Sequence, residues 1–82
     1  MLRTRRFAIE KIYVPVKRRK TLNSKTVREI AESMLEVGQQ TPILVREDGD
    51  RFVLVERLHR LEACMELGEA TILGYLVRAR PY

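Results

Sequence analysis

The sequence has few of the residues that build covalent or metal-linked scaffolds. Its 82 residues include one cysteine, one histidine and no tryptophan. A single cysteine forms no internal disulfide, and one cysteine with one histidine supplies only two of the four ligands of a structural zinc site. We therefore expect a reduced, cytoplasmic protein without a structural metal.

Long apolar runs are also missing. The longest stretch without a charged residue is nine residues, 37–45, whereas a membrane-spanning helix needs about 20 apolar residues. Residues 1–6 are basic, and no apolar segment follows them as it would in a secretory signal. With 45% hydrophobic and 33% charged residues, the sequence predicts one small folded domain over residues 1–82 and no membrane partner.

Positive charge is concentrated in the first third of the chain. Residues 1–28 carry ten Lys/Arg and one acid, whereas residues 29–82 carry six Lys/Arg and ten acids, which together give the net charge of +5. Such a block suits a polyanion, either nucleic acid or the phosphates of a nucleotide, or else a solvated surface. The candidate nucleic-acid-binding residues lie in a basic N-terminal arm (residues 1–6) and a basic loop (residues 17–21), and are Arg3, Arg5, Arg6, Lys17, Arg18, Arg19 and Lys20.

The hydrophobic pattern predicts an α+β fold with the order β–α–β–β–α–β, in which two main helices pack on a small mixed sheet. The predicted helices are 24–37 and 58–67. The predicted strands are 7–16 (as one strand or two short ones), 42–46, 51–55 and 71–77. The predicted core includes Ile30, Met34, Leu44, Val53, Leu61 and Met65.

Two kinds of catalytic or binding motif are not supported by the residues. The four glycines are all assigned to helix ends, a hairpin turn and a strand, so none remains for a glycine-rich phosphate loop. Cys64 lies on the apolar stripe of the second main helix, where we interpret it as a small buried hydrophobe rather than a nucleophile.

One segment favours anion binding. A strand is predicted to end at Val55 and a helix to begin within two residues, so the unpaired amides of the first helical turn face a potential anion. Arg57, His59 and Arg60 add donors at this point. The alternative is that these side chains only solvate the helix start and pair with neighbouring glutamates.

The ordered motifs resemble the N-terminal ParB/sulfiredoxin-like superfamily over about residues 7–77. The matching pieces are the segments AIEKIYV, VREIAESMLEVG, GQQTPILVRE, RFVLVE and HRLEACMELGE, the last followed by ATILGYLV. Within them, Gly38 is followed by Pro42 and an apolar strand, as in the family. The family's Gly-x-x-Arg-x-x-Ala motif is matched at Arg60 and Ala63, but its first position is Arg57 instead of glycine.

This resemblance implies a stand-alone domain that binds a nucleoside triphosphate (CTP or ATP) with magnesium, in plasmid partition, transcriptional regulation or mobile-element biology. The implied phosphate ligands are Arg60 and His59, with Arg57, Arg18, Arg19 and Thr41 around them. The reactive cysteine of sulfiredoxin corresponds to Leu58, which argues against that activity because the chemistry needs a thiolate.

The departure at Arg57 leaves alternatives open. A long side chain at this position would either obstruct a phosphate or contact it. On steric grounds we expect obstruction, so that the protein binds nucleotide weakly or not at all and Arg57→Gly improves binding. Nucleotide hydrolysis and a homodimer are left open. The alternative functions are a nucleic-acid-binding module without sequence specificity and a protein-interaction adaptor whose nucleotide site is degenerate.

Overall fold

The computed structural model describes residues 3–39 and 41–78 and has five strands and three helices within them. The strands are β1 (Thr4–Ala8), β2 (Ile12–Tyr13), β3 (Ile43–Asp48), β4 (Arg51–Glu56) and β5 (Thr71–Leu76). The helices are α1 (Val16–Arg19), α2 (Ser24–Val37) and α3 (Leu58–Glu66), and a 3₁₀ turn (Ile9–Lys11) separates β1 from β2. The predicted α+β class and its two main helices are confirmed.

The strands form one mixed sheet in the order β1-β5-β3-β4-β2. The pairs β1–β5 and β3–β4 are antiparallel, whereas β3–β5 and β2–β4 are parallel. Gly49, with φ 63°, makes the hairpin turn between β3 and β4, as the Asp-Gly pair predicted. As a result, β1, β2 and β4 end at the edge of the sheet where β3 and β5 begin.

The core lies between one face of this sheet and the helices α2 and α3. Alternate strand residues, from Phe7 to Ile72, are 0–2% exposed and pack in one cluster with the inner residues of both helices. Strand side chains alternate between the two faces of a sheet, so the residues between them lie on the opposite face, which we call the open face. The open face is mostly half-buried or exposed.

Helix α2 begins and ends where the sequence predicts. The Oδ1 of Asn23 accepts hydrogen bonds from the N–H groups of Lys25 (3.0 Å) and Thr26 (3.2 Å), as an N-cap does. At the other end, Gly38 has φ 76° and its N–H donates to the carbonyl of Met34. The left-handed conformation after the last turn is inexpensive for glycine, which is why the helix stops there.

The basic N-terminal segments differ from their prediction. Residues 4–6, predicted as part of a basic arm, form the first half of β1, and residues 1–2 lie outside the described residues. Most of the predicted basic loop is helical, because Val16–Arg19 form α1 directly after Pro15. Proline suits this place because its fixed φ and missing N–H are tolerated at a helix start.

Three predicted core residues are less buried than expected. Met65 is 49% exposed, and Ile30 and Leu44 are half-buried, whereas Met34, Val53 and Leu61 are buried. Helix α3 packs against both α2 and the sheet. Its buried side therefore includes Ala63, which is fully buried, whereas Met65 lies on its exposed side.

Within the described residues, no helix is long and apolar enough to cross a membrane.

Candidate anion-binding site

The predicted phosphate-binding residues come from three neighbouring places at one edge of the sheet. Strands β2 and β4 are parallel neighbours, so α1, after β2, and α3, after β4, leave the sheet at the same edge. The start of β3 lies beside the end of β4, since Leu44 pairs with Glu56. Residues from α1, from the start of α3 and from the segment before β3 therefore surround this edge.

The backbone at the start of α3 has an anion-binding form. Arg57 is the N-cap and is left-handed (φ 75°, ψ 49°), the one non-glycine residue with positive φ among those described. A left-handed residue followed by a helical one makes successive N–H groups converge, a concavity that binds anions. The first N–H to donate within the helix is that of Arg60, so those of Leu58 and His59 precede the intrahelical ladder.

The conformation of Arg57 revises the steric argument. The unusual backbone angles that glycine adopts freely are present here with an arginine, at a cost of about 1 kcal/mol or more. The Arg57 side chain is exposed and makes no capping hydrogen bond. The local backbone thus retains the geometry that a family glycine would favour, and the side chain is an addition to it.

The His59 side chain links the start of α3 to the start of α2 by a hydrogen bond. Its Nε2 accepts a hydrogen bond from the N–H of Asn23 over 3.0 Å. Nε2 is therefore unprotonated in this contact, and Nδ1 carries the ring proton. Because Asn23 also caps α2, this one contact sets the relative position of two helix starts, and only Nδ1–H remains to meet a ligand.

The predicted phosphate-binding side chains differ in exposure. Arg60 and Arg18 are half-buried, Arg19 and Arg57 are exposed, and Thr41 is half-buried. Three cavities of about 310, 420 and 450 Å³ are present elsewhere in the described structure, and none of these three is lined by the predicted phosphate-binding residues. The basic cleft itself stays a prediction.

The predicted nucleic-acid-binding residues fall into two separate groups. Arg3, Arg5 and Arg6 lie at or in β1, at one lateral edge of the sheet, and Arg5 stacks over the Phe7 ring at 4.9 Å. Residues 17–20 lie in or next to α1, beside β2 at the other lateral edge. The sequence places both groups in one basic block, and the fold places them on different elements, β1 and α1.

Gln39 has a role that the sequence pattern did not indicate. Its Oε1 accepts from the N–H of Leu73 (2.8 Å), and its Nε2 donates to the carbonyls of Leu73 (2.9 Å) and Thr41 (3.2 Å). The side-chain amide thus continues the β3–β5 pairing before β3 begins. Gln39 thus connects the segment of Thr41 to β5, and its contact with Leu73 spans 34 residues of sequence.

Cys64 is a structural residue, as predicted. It is 2% exposed, and burial together with Glu69 raises the pKa of its thiol, although Arg6 and Arg60 oppose the shift. The position that corresponds to the sulfiredoxin cysteine, Leu58, is a core residue at 4% exposure. Neither position offers an exposed thiolate nucleophile.

A comparison with protein families decides the membership of the chain. Residues 3–80 match the model of the ParB N-terminal domain. The chain belongs to this family. The match extends from β1 past β5 and includes both elements that frame the candidate site, α1 and the start of α3.

Solved structures with the same fold include enzymes and DNA-partitioning proteins. Sulfiredoxin from Arabidopsis thaliana is 28% identical with a TM-score of 0.84, over 94% of this chain and 86% of the other. The Caulobacter crescentus chromosome-partitioning protein ParB, complexed with CTP-gamma-S, is 23% identical with a TM-score of 0.76, over 96% of this chain and 45% of the other. A free serine kinase variant in complex with ADP is 18% identical with a TM-score of 0.78, over 90% of this chain and 30% of the other.

The ParB N-domain fold thus spans less than half of the two nucleotide-bound proteins. No curated protein sequence matches the chain significantly.

Proposed function

We propose that this ParB N-terminal domain binds the phosphate groups of a nucleotide at the start of α3. The observation that carries the proposal is the left-handed Arg57 directly before α3, which makes the first amides of the helix converge. The helix dipole adds about half a positive charge at the same point. Main-chain donors and dipole together favour a phosphate over a neutral ligand.

The side chains nearest to this start have distinct roles in the proposal. Arg60 lies in the first turn of α3, where its guanidinium can bind two phosphate oxygens at once. Arg18 and Arg19 on α1 add charge from the neighbouring strand end, and Thr41 adds a hydroxyl from the segment that Gln39 holds. His59 acts mainly as a positioning residue, because Nε2 is occupied by Asn23.

Two relatives of the same fold support a nucleotide as the source of the phosphates. The Caulobacter ParB structure holds CTP-gamma-S and the serine kinase structure holds ADP. We propose CTP or ATP for this chain, in a cytoplasmic role in plasmid partition or transcriptional regulation. Because the two ligands have different bases, the phosphates are their shared feature. We infer that side chains outside the motif determine which base is bound.

In this proposal, magnesium binds together with the nucleotide and not at a separate protein site. Among the described residues, no group of three or more His, Cys, Asp or Glu side chains could hold a metal ion. Mg²⁺ commonly keeps several waters and is held by one or two carboxylates and the substrate phosphates. Glu56, the residue before Arg57, is the carboxylate closest in sequence to the site and is exposed. When bound, the ion would neutralise part of the phosphate charge.

The experiment is a thermal-shift titration with CTP, ATP, GTP and UTP, each with and without magnesium. A ligand that binds only the folded protein raises its melting temperature in proportion to the logarithm of its concentration. We expect a shift with at least one triphosphate, and a loss of about 10- to 100-fold in affinity for Arg60→Gln, because a charge-assisted contact is removed.

The matched control is Arg28→Gln, which removes the same charge from the exposed side of α2. It should leave the nucleotide affinity nearly unchanged. If Arg28→Gln weakens binding as much as Arg60→Gln, the effect is one of net charge and the site is elsewhere. If no triphosphate raises the melting temperature of the unsubstituted protein, the proposal is wrong.

A further inference from the structure

A cavity of about 310 Å³ lies at the C-terminal ends of α2 and α3. Its apolar wall comes from both helices and β5, and its charged groups are one arginine and one glutamate. The lining includes Met34, Leu35, Leu67, Leu73, Arg6 and Glu69. Ligand pockets have volumes of ~300–1,000 Å³, so a cavity at the lower end suits a small molecule. We propose that it binds an amino acid with an apolar side chain.

The two helices end together at this cavity. Their starts are joined by the hydrogen bond from the Asn23 N–H to the Nε2 of His59, and their last turns both line the cavity, through Met34 and Cys64. The helices therefore run in the same direction, and the negative ends of both helix dipoles lie here. Neither helix has a basic residue in its last turn. The ammonium group of a ligand would be stabilised at this end.

The two charged side chains of the cavity are not paired with each other. Arg6 and Glu69 both line it, yet no ion pair joins them in the described structure. Both also act on the thiol of Cys64 in the cavity wall. Burial is the main cause that raises the pKa of this thiol, Glu69 raises it further and Arg6 lowers it. A guanidinium and a carboxylate therefore lie near the same part of the wall, and each is available to a ligand.

Charges of both signs select a zwitterion as the ligand. The carboxylate of an amino acid can accept two hydrogen bonds from the Arg6 guanidinium. Its ammonium can donate to the Glu69 carboxylate and to the carbonyls in the last turn of α2. A ligand with a carboxylate alone would be repelled by Glu69 and by the helix ends, and a ligand with an amine alone would be repelled by Arg6.

The apolar wall determines the kind of side chain that fits. Leu35 is 73% exposed at this wall, whereas Met34 and Cys64 are buried behind it. An aliphatic side chain on the ligand would cover this apolar surface, which favours binding. A second carboxylate or ammonium would lose water there without gaining a partner. Leucine and methionine are therefore the expected ligands, and aspartate and lysine are not.

The proposal is independent of the nucleotide site, because it uses the opposite end of α3. The helix has nine residues, which at ~1.5 Å each place its two ends about 13 Å apart. None of the predicted phosphate-binding residues lines the cavity.

The test is a nuclear magnetic resonance titration of backbone amides with leucine and two of its derivatives, at about pH 6.5, where the α-amino group is protonated. Leucinamide lacks the carboxylate, and N-acetyl-leucine lacks the ammonium. Leucine should shift the amides of Gly38 and Leu67, which line the cavity, and leave that of Leu58 at the other end of α3 unchanged. Each derivative should bind about 10-fold more weakly than leucine, because one charge-assisted contact is lost.

Variants of the two charged residues assign the contacts. Arg6→Gln should weaken leucine binding about 10-fold and leave the affinity for leucinamide, which has no carboxylate, unchanged. Glu69→Gln should likewise weaken the binding of leucine and leave that of N-acetyl-leucine unchanged. The matched controls, Arg28→Gln and Glu32→Gln, remove equal charges from exposed residues outside the cavity lining and should not change leucine affinity.

Melting temperatures of all variants show that they fold. The proposal is wrong if leucine shifts no amide at the cavity, or if either derivative binds as tightly as leucine. It is also wrong if Arg28→Gln costs as much affinity as Arg6→Gln, because the effect would then be one of net charge.

Discussion

The two sides of the sheet differ in both burial and charge. On the side covered by α2 and α3, strand residues such as Ile43 and Ile72 are fully buried, and the outer surface of the helices is acidic. On the open face, side chains such as Leu44 and Tyr75 are half-buried, and the charges are of both signs, since Arg46 and Arg51 lie beside Asp48. Stability therefore derives chiefly from one side of the sheet. The start of α3 lies at the edge where the two sides meet.

The largest effect expected from this comparison concerns leucines on the two sides. Leu61→Ala, on the helical side, should lower the free energy of unfolding by about 2–5 kcal/mol, because Leu61 is 1% exposed and its removal leaves a cavity. Leu44→Ala, on the open face, should cost about 1 kcal/mol, since less apolar area is lost from a half-buried side chain. Urea unfolding of both variants measures the two values. Equal costs would mean that the open face is a second core.

A smaller effect is expected where the helical layer joins the sheet. Gln39→Ala should lower the free energy of unfolding by about 1–3 kcal/mol, because the Leu73 N–H and two carbonyls lose their partner. Gln39→Glu is the matched variant: it keeps an acceptor for Leu73 N–H but has no donor for the carbonyls, so it should also destabilise. Thermal unfolding of both variants checks this. A Gln39→Ala protein as stable as the parent would show that the contact contributes nothing.

The smallest effect is expected at the edge between the two sides, at Arg57. Arg57→Gly should raise the free energy of unfolding by about 0.5–1 kcal/mol. Glycine removes the strain of the left-handed backbone, and the greater entropy of glycine in the unfolded chain offsets only part of this gain. Arg57→Ala removes the same side chain but keeps the strain, so it should not stabilise.

The same two variants decide how the Arg57 side chain affects a nucleotide. If the side chain obstructs the site, both should bind a triphosphate more tightly than the parent. If both bind more weakly, the guanidinium is a phosphate ligand. A destabilised Arg57→Gly would contradict the left-handed conformation itself.

Local signals were sufficient to predict most elements of the fold. Helix α2 has its predicted bounds because the apolar period, the Asn23 cap and Gly38 all agree. The hairpin follows from Asp-Gly between two apolar segments. Helix α1 was missed because four residues carry too little periodicity, and their basic side chains are as typical of a loop. Met65 was misplaced because a single apolar stripe does not show that α3 is covered from two directions.

The candidate site was predictable in its residue types but not in its geometry. Sequence motifs drew attention to His59, Arg60 and the position of Arg57. The Asn23–His59 contact spans 36 residues and that of Gln39 with Leu73 spans 34, so neither has a local signature. The left-handed backbone of Arg57 runs against residue preference, since glycine is the residue typical of that region. The surrounding fold determines the conformation of Arg57, and a short segment of sequence does not specify that fold.

The most direct measurement of the central claim is a nuclear magnetic resonance titration of backbone amides with a nucleoside triphosphate. If phosphates bind at the start of α3, the largest shifts should occur at the amides of Leu58, His59 and Arg60. The amides of Glu66 at the far end of the helix, and of Arg46 on the open face, should change little. Shifts that are concentrated on the outer side of α2, or spread evenly over the basic residues, would contradict the account.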